Sequence, residues 1–301
     1  MSAAGKIVVL TGASAGIGAA AARQLHRDGV KVIPVGRNAA KTAAIAEELG
    51  EPGLTCNYAD LADVRRLADA LLERCPRIDV LANNAGGQWV KRELTKDGNE
   101  QQFQINCLAP FLLTRLLTDR LRESDGRVIN TSTMMVHKHG HIDLDDLDSD
   151  HRYKSHVVYT SSKVGAALLL REYARRNPDI ETADYHPGIV ASEFARDQKF
   201  QQLLLKTPLG KPLQKLLDTP ETAAQTLVYL VETDEKLTGG YYVKSKRAEE
   251  SAVVQDVDNA RKLWDIVSRR VGLEVCATST SDTPPTTRRG RELRPRRVCV
   301  S

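Results

Sequence analysis

Residues 6–18 read Lys6-Ile7-Val8-Val9-Leu10-Thr11-Gly12-Ala13-Ser14-Ala15-Gly16-Ile17-Gly18, an apolar run that passes through three glycines into an alanine-rich segment. After its lysine the run carries no charge, which suits a strand buried on both faces. The segment over 17–28 predicts a helix, with Gly29 as its stop. A glycine-rich turn between a first strand and a first helix lets the backbone approach a pyrophosphate, whose charge the helix N-terminus then holds. The spacing G-x-x-x-G-x-G differs from the G-x-G-x-x-G of other dinucleotide folds, so the glycines acquire meaning from this strand-turn-helix context.

Working outward, apolar runs alternate with helical patterns along most of the chain. Strands are expected over 6–10, 30–35, 54–57, 80–82, 128–131, 180–185 and 241–243, and helices over 17–28, 61–74, 100–122, 157–176, 220–231 and 256–270. Such alternation argues for right-handed βαβ crossovers, hence an α/β fold: a Rossmann-type doubly wound parallel sheet in three α/β/α layers, forming a single domain over 1–274. From residue 275 the composition shifts to Ser, Thr, Pro and Arg. It holds too few large apolar residues to offset ordering entropy, so 275–301 reads as a disordered basic tail.

Tyr159-Thr160-Ser161-Ser162-Lys163 opens a helical segment, and a spacing of four sets the tyrosine and the lysine on one face. Reducing a carbonyl takes a hydride and a proton. A tyrosine near its ordinary pKa is a poor general base until a positive neighbour favours the phenolate. With the glycine turn, Asp60-Leu61 after the third strand, Asn83-Asn84-Ala85-Gly86 after the fourth and Tyr159-x-x-x-Lys163, the sequence resembles the short-chain dehydrogenase/reductase family. Thr95-Lys96-Asp97-Gly98, the stretch Asn106-Cys107-Leu108-Ala109-Pro110-Phe111, Gly240-Tyr241-Tyr242 and Lys262-Leu263-Trp264 are similar to its retinol dehydrogenase-like branch, as is the 26-residue gap between Thr133 and Tyr159. The likeness spans roughly 6–273.

The resemblance implies an enzyme that interconverts an alcohol and a ketone or aldehyde with a nicotinamide cofactor. It gives Tyr159 the acid/base role, and has Lys163 also hold the nicotinamide ribose. Aligning Gly126-Arg127-Val128-Ile129-Asn130-Thr131-Ser132-Thr133 with the family's G-R-I-V-N-V-S-S places Thr133 at the catalytic serine, a departure that keeps the hydroxyl, and leaves Ser132 as the competing neighbour. Asn106 matches the asparagine that holds a relay water; a local helix kink is its other reading. The implied cofactor contacts are Thr11, Gly12, Ser14, Ala15, Gly16, Ile17, Gly18, Arg37, Asp60, Leu61, Asn84, Ala85, Gly86, Tyr159, Lys163, Pro187, Gly188, Val190 and Ser192. Arg37, at the end of the second strand, stands where an acid would accept from the ribose hydroxyls. An arginine there pairs with a 2′-phosphate, so the expected cofactor is NADP (NADPH).

Composition bounds the rest. With 41% hydrophobic and 27% charged residues, this is globular text rather than disordered, collagenous or disulfide-stapled. Five scattered cysteines (Cys56, Cys75, Cys107, Cys276, Cys299) with no C-x-x-C pair suggest neither a disulfide framework nor a zinc cage. The net charge of +4 sits entirely in six tail arginines set against Asp282 and Glu292, so no nucleic-acid partner is expected. No apolar run reaches the roughly 18 residues of a membrane span, and the reading is a cytoplasmic chain with a small-molecule alcohol or carbonyl substrate. A homo-oligomer is implied only by the resemblance. His137, His139 and His141 alternate beside several aspartates but lack fixed ligand geometry; they read as a solvated rim, and no metal is expected. The leucine-rich stretch 194–217 falls where the family has its substrate lid, which points to an apolar substrate. The rival to an enzyme is a catalytically weak or inactive NADP-sensing binding protein, toward which only Thr133 points.

Overall fold

The computed structural model describes residues 3–188 and 218–274. Strands β1 (Ile7–Thr11), β2 (Lys31–Gly36), β3 (Leu54–Thr55), β4 (Val80–Asn83), β5 (Arg127–Thr131), β6 (Glu181–His186), β7 (Thr238–Val243) and β8 (Lys246–Ala248) form one sheet in the order β3-β2-β1-β4-β5-β6-β7-β8. All neighbours pair in parallel except β7 and β8. The strand order reverses between β1 and β4. At such a switch point the two flanking crossovers leave for opposite faces of the sheet, which opens a crevice at the strands' carboxyl ends.

Every β1 residue is buried because both faces of the sheet are covered. On one face α1 (Gly16–Arg27), α2 (Ala39–Leu49) and α9 (Pro220–Glu232) pack Ala21, Ala22, Leu25, Ile45, Leu227 and Val231 against Val8, Leu10 and Val32. On the other, α3 (Leu61–Arg74), α5 (Ala109–Leu116), α8 (Ser155–Arg176) and α11 (Val257–Arg270) enclose the larger core of Leu67, Leu112, Leu168 and Trp264. This is the expected three-layer doubly wound fold in a single domain.

The expected strands appear with ends displaced by one to three residues, and the helix over 61–74 lies as read. Three elements differ. The stretch 100–122 is not one helix: it divides into α4 (Gln101–Phe103), a π-helical turn (Gln104–Leu108), α5 and α6 (Thr118–Glu123). Pro110 has no N–H for the carbonyl of Asn106 and its ring would press on it, and the chain widens into a π turn just before it. The helix α2 was not expected, although Asn38 caps its start through Lys41 N and Gly50 ends it in the left-handed region. Strand β8 is antiparallel and joins β7 by a two-residue turn with positive φ at Lys244 and Ser245. Neither residue is the Asn or Gly that announces such turns. Two further short helices, α7 (Met134–His139) and α10 (Ala252–Gln255), follow β5 and β8.

Candidate active site

Thr11 ends β1 fully buried, and its hydroxyl joins the two strands of the switch point. Its Oγ1 donates to Ala82 O (3.2 Å) and accepts from Asn84 N and Ala85 N (3.0 Å each), while Asn84 Nδ2 donates to Thr11 O (2.8 Å). This holds the glycine turn against β4 so closely that a Cβ on Gly12, whose φ is +68°, would lie 2.9 Å from Asn84 Nδ2, and one on Gly18 2.7 Å from it. Neighbouring Asn83 reaches the other way, donating from Nδ2 to Thr114 Oγ1 on α5 and Asn130 Oδ1 on β5 (3.0 Å each).

Helix α1 starts at Gly16 with no side-chain cap on its first N–H groups. An uncapped helix start of this kind carries partial positive charge and free donors for an anion. It opens on a cleft of about 490 Å³ whose wall includes Thr11, Gly12, Ser14, Ala15, Gly16, Ile17, Gly18, Arg37, Asn84, Ala85 and Gly86. Arg37 is exposed at the β2 end. Uncapped donors, glycine backbone and an arginine along one trough fit a dinucleotide.

Beyond Gly86 lies the second half of the site. Lys163, on α8 and only 5% exposed, donates from Nζ to Thr131 O (2.8 Å), and a Cβ on Gly86 would stand 3.3 Å from that ammonium. Burial draws Lys163 down to about 8, against the opposing pull of Asp184 and then Cys107. Half-buried Tyr159 lies one turn earlier, and burial raises its phenol above the ordinary value. In this arrangement one donor of the lysine is directed to the backbone of β5. Thr133 is the N-cap of α7, its Oγ1 accepting from Met135 N (3.4 Å). That leaves its hydroxyl hydrogen available to donate. Ser132 differs: its side chain is 5% exposed and its buried Oγ has no hydrogen-bond partner among the described residues.

Asn106 sits in the π turn. Its Nδ2 donates to Gly87 O (2.9 Å) and Ser162 Oγ (3.1 Å), and its Oδ1 accepts from Gly87 N (3.0 Å). Ser162 Oγ in turn donates to Tyr159 O (2.7 Å), so the π turn, the loop after β4 and α8 are tied together behind the tyrosine.

Some expected contacts lie elsewhere. Asp60 caps α3 through Ala62 N and Asp63 N and pairs with Lys96 (2.5 Å); on that side the cleft wall is Cys56, Asn57 and Tyr58 rather than Asp60 or Leu61. The wall also takes in Gln88, Trp89, Glu93, Gln101 and Ile105, which sequence reading missed because they arrive from the β4 loop and the broken helix. Pro187 and Gly188 close β6 outside that wall, and Val190, Ser192, the stretch 194–217 and the tail lie outside the described residues. His139 and His141 are exposed, as a rim would be, but His137 corrects that reading: it is half-buried, its ring 3.7 Å from that of Tyr241, because Ser251 N donates to its Nδ1 (3.2 Å) and holds it inward. The nearby acids are spent on structure, Asp148 on Arg270 and Glu100 N and Asp150 on Arg92. No group of three or more metal-ligating side chains occurs among the described residues. Nor is any described helix long and apolar enough to cross a membrane.

This geometry agrees with what the chain is similar to. Residues 6–202 match the short chain dehydrogenase family. A Streptomyces sp. (strain C5) protein named as a daunorubicin C-13 ketoreductase, DnrU, is 38% identical over 277 residues, covering 89% of this chain and 93% of its own. Retinol dehydrogenase 13 of Homo sapiens is 35% identical over 286 residues, covering 90% and 86%. Among solved structures, the Pseudomonas aeruginosa RhlG/NADP active-site complex superposes with a TM-score of 0.64 at 25% identity, covering 79% of this chain and 94% of the other. The chain belongs to the short-chain dehydrogenase/reductase family, a class of nicotinamide-dependent oxidoreductases that interconvert alcohols and carbonyls. Its place there is the retinol dehydrogenase-like branch.

The clamp on Gly87 generates a direct prediction. Asn106→Ala leaves a buried N–H and C=O without partners, and the expected loss is about 3 kcal/mol of stability. A urea midpoint that falls with unchanged m value would bear this out.

Proposed function

We propose that the protein is an NADP(H)-dependent oxidoreductase that interconverts an alcohol and a ketone or aldehyde by hydride transfer, with Tyr159 as general acid/base and an apolar substrate. One observation carries the reading: a continuous trough runs from Arg37 past the uncapped start of α1 to Gly86, and the Lys163 ammonium stands at its far end. Bound there, NADPH would supply the hydride. Gly16, Ile17 and Gly18 would hold its pyrophosphate through backbone N–H groups, and Arg37 its 2′-phosphate through a charge-assisted pair. The solved RhlG complex with NADP supports that choice of cofactor.

At the reacting end, Tyr159 gives its phenolic proton to the carbonyl oxygen as negative charge develops on it, and takes it back in oxidation. A phenol kept protonated by burial suits the reduction direction. Thr133 donates its hydroxyl hydrogen to the same oxygen, its acceptor side being engaged by Met135 N. Lys163 brings positive charge to the site from a fixed perch on Thr131 O. Met135 and Val157, two residues from Thr133 and Tyr159, leave large apolar side chains 37% and 48% exposed. An apolar substrate would cover them, in keeping with the retinol and daunorubicin in its relatives' names.

NADPH consumption across aldehydes and ketones tests the reading, and Tyr159→Phe separates an enzyme from a cofactor-sensing protein. The variant is expected to lose about 10³-fold in kcat while fluorescence titration shows its NADPH affinity kept; equal turnover would remove Tyr159 from the chemistry. Thr133→Ala is expected to lower kcat/KM by about 10²-fold, the usual cost of one oxyanion donor, Thr133→Ser to stay active and Ser132→Ala to matter little. The opposite order would move the role to Ser132. Arg37→Asp is expected to lower kcat/KM with NADPH by about 10²-fold and to favour NADH, which paired initial rates with the two cofactors would read.

A further inference from the structure

Strand β6 is polar on one face. Ala183 and Tyr185 enter the apolar core beneath α9, whereas Thr182, Asp184 and His186 point to the other side, under α8. Asp184 is 1% exposed and stands in register between Asn130 of β5 and Tyr241 of β7. A carboxylate this deep must find positive charge or lose its own. Its ion-pair partner is Arg171 of α8, whose Nη1 lies 3.0 Å from Asp184 Oδ2. Arg171, however, already has a fork partner: its Nε and Nη2 donate to the two carboxylate oxygens of Glu250 (3.2 and 3.0 Å). Glu172, also buried, is neutralised by Arg175 and Arg176 at the end of α8. Arg171 is thus one cation shared between two carboxylates, Asp184 and Glu250, and among the described residues Lys163 is a further buried ammonium on α8.

We propose that Asp184 is the counter-ion of Lys163, a positioning residue that holds the ammonium in its charged form from beneath the sheet's polar face. The proposal rests on the reading of Lys163 given above. The neighbouring backbone fits it: Lys163 is perched on Thr131 O, one residue beyond the Asn130 that pairs with Asp184. Electrostatics agree in both directions. Asp184 is the largest influence opposing the burial that lowers Lys163, and Lys163, after Arg171, opposes the burial that raises Asp184. The other titratable groups facing the pair are Tyr159 on α8 itself, Cys107 on the π turn, His137 on α7, His186 on β6, Tyr241 on β7 and Glu250 beyond β8, of which Arg171 screens the last. His137, held near 4 by burial, is neutral throughout the range of interest and adds no charge.

The sign follows. Replacing Asp184 by a neutral side chain removes support for the ammonium, so Lys163 loses its proton at lower pH. In full-length protein with ¹³Cε-lysine, the Lys163 resonance, identified by its loss in Lys163→Gln, is expected to titrate about one pH unit lower in Asp184→Asn than in wild type, and to recover in Asp184→Glu. The alkaline decline of kcat/KM for carbonyl reduction should move in the same direction. In wild type, the Asp184 carboxyl ¹³C signal should inflect at the Lys163 midpoint, since coupled sites report each other's titration. An unmoved Lys163 midpoint in Asp184→Asn, whatever its melting temperature, overturns the proposal. Should that variant not fold, absence of the wild-type inflection overturns it alone. A shifted Lys163 with an unmoved rate profile keeps the counter-ion and removes Lys163 from the chemistry.

Discussion

Everything in this site depends on how closely β1 and β4 are bound at their carboxyl ends. The Thr11 hydroxyl makes three hydrogen bonds, with Ala82 O, Asn84 N and Ala85 N, the Asn84 amide adds a fourth to Thr11 O, and together they hold the glycine turn close against Asn84. A side chain at Gly12 or Gly18 would part the strands. Because the turn is held there, the start of α1 faces the crevice with its donors free, and the β4 loop that follows Asn84 forms the opposite wall. The placing of the uncapped helix start and the sheet geometry are thus set by one contact.

The second constraint is electrostatic. Four charges, Lys163, Arg171, Asp184 and Glu250, alternate in sign beneath α8 where a doubly wound sheet ordinarily packs apolar side chains. Burial costs each of them solvation, and only the arrangement as a whole keeps them ionised. Several buried polar atoms on this face, including Tyr241 OH, His186 Nδ1 and Thr182 Oγ1, have no partner among the described residues, so this seam trades packing stability for polarity. Functional sites are where proteins accept such a trade.

The π turn links the two constraints. Asn106 presents both ends of its amide to Gly87, and Ser162 carries the tie on to the backbone of Tyr159. A regular α-helix would advance the side chains after Gln104 at a different angle; the widened turn re-aims Asn106 at the loop. The kink read at Asn106 in the sequence is this π turn, which also aims its amide at Gly87.

What the sequence determined by itself is local. The alternation of apolar runs and helical periods, the glycines at a strand's end and Tyr159 four residues before Lys163 specify the parallel doubly wound sheet, the tight glycine turn and the shared face of α8, because each depends on backbone conformation and residue spacing within one element. Even so, Pro110 was a readable sign that the helix over 100–122 breaks, and Asn38 with Gly50 a readable sign of α2. Tertiary structure alone decided the rest. The β7–β8 hairpin turns through Lys244 and Ser245, which bear no turn signature, under the pull of strand pairing. Asp60 is turned to Lys96 and its own helix, Lys163 to the backbone of β5, and Asp184 and Arg171 meet only because β6 and α8 pack together. Where a long side chain directs its charge depends on partners distant in the chain, and no pattern within one segment encodes them.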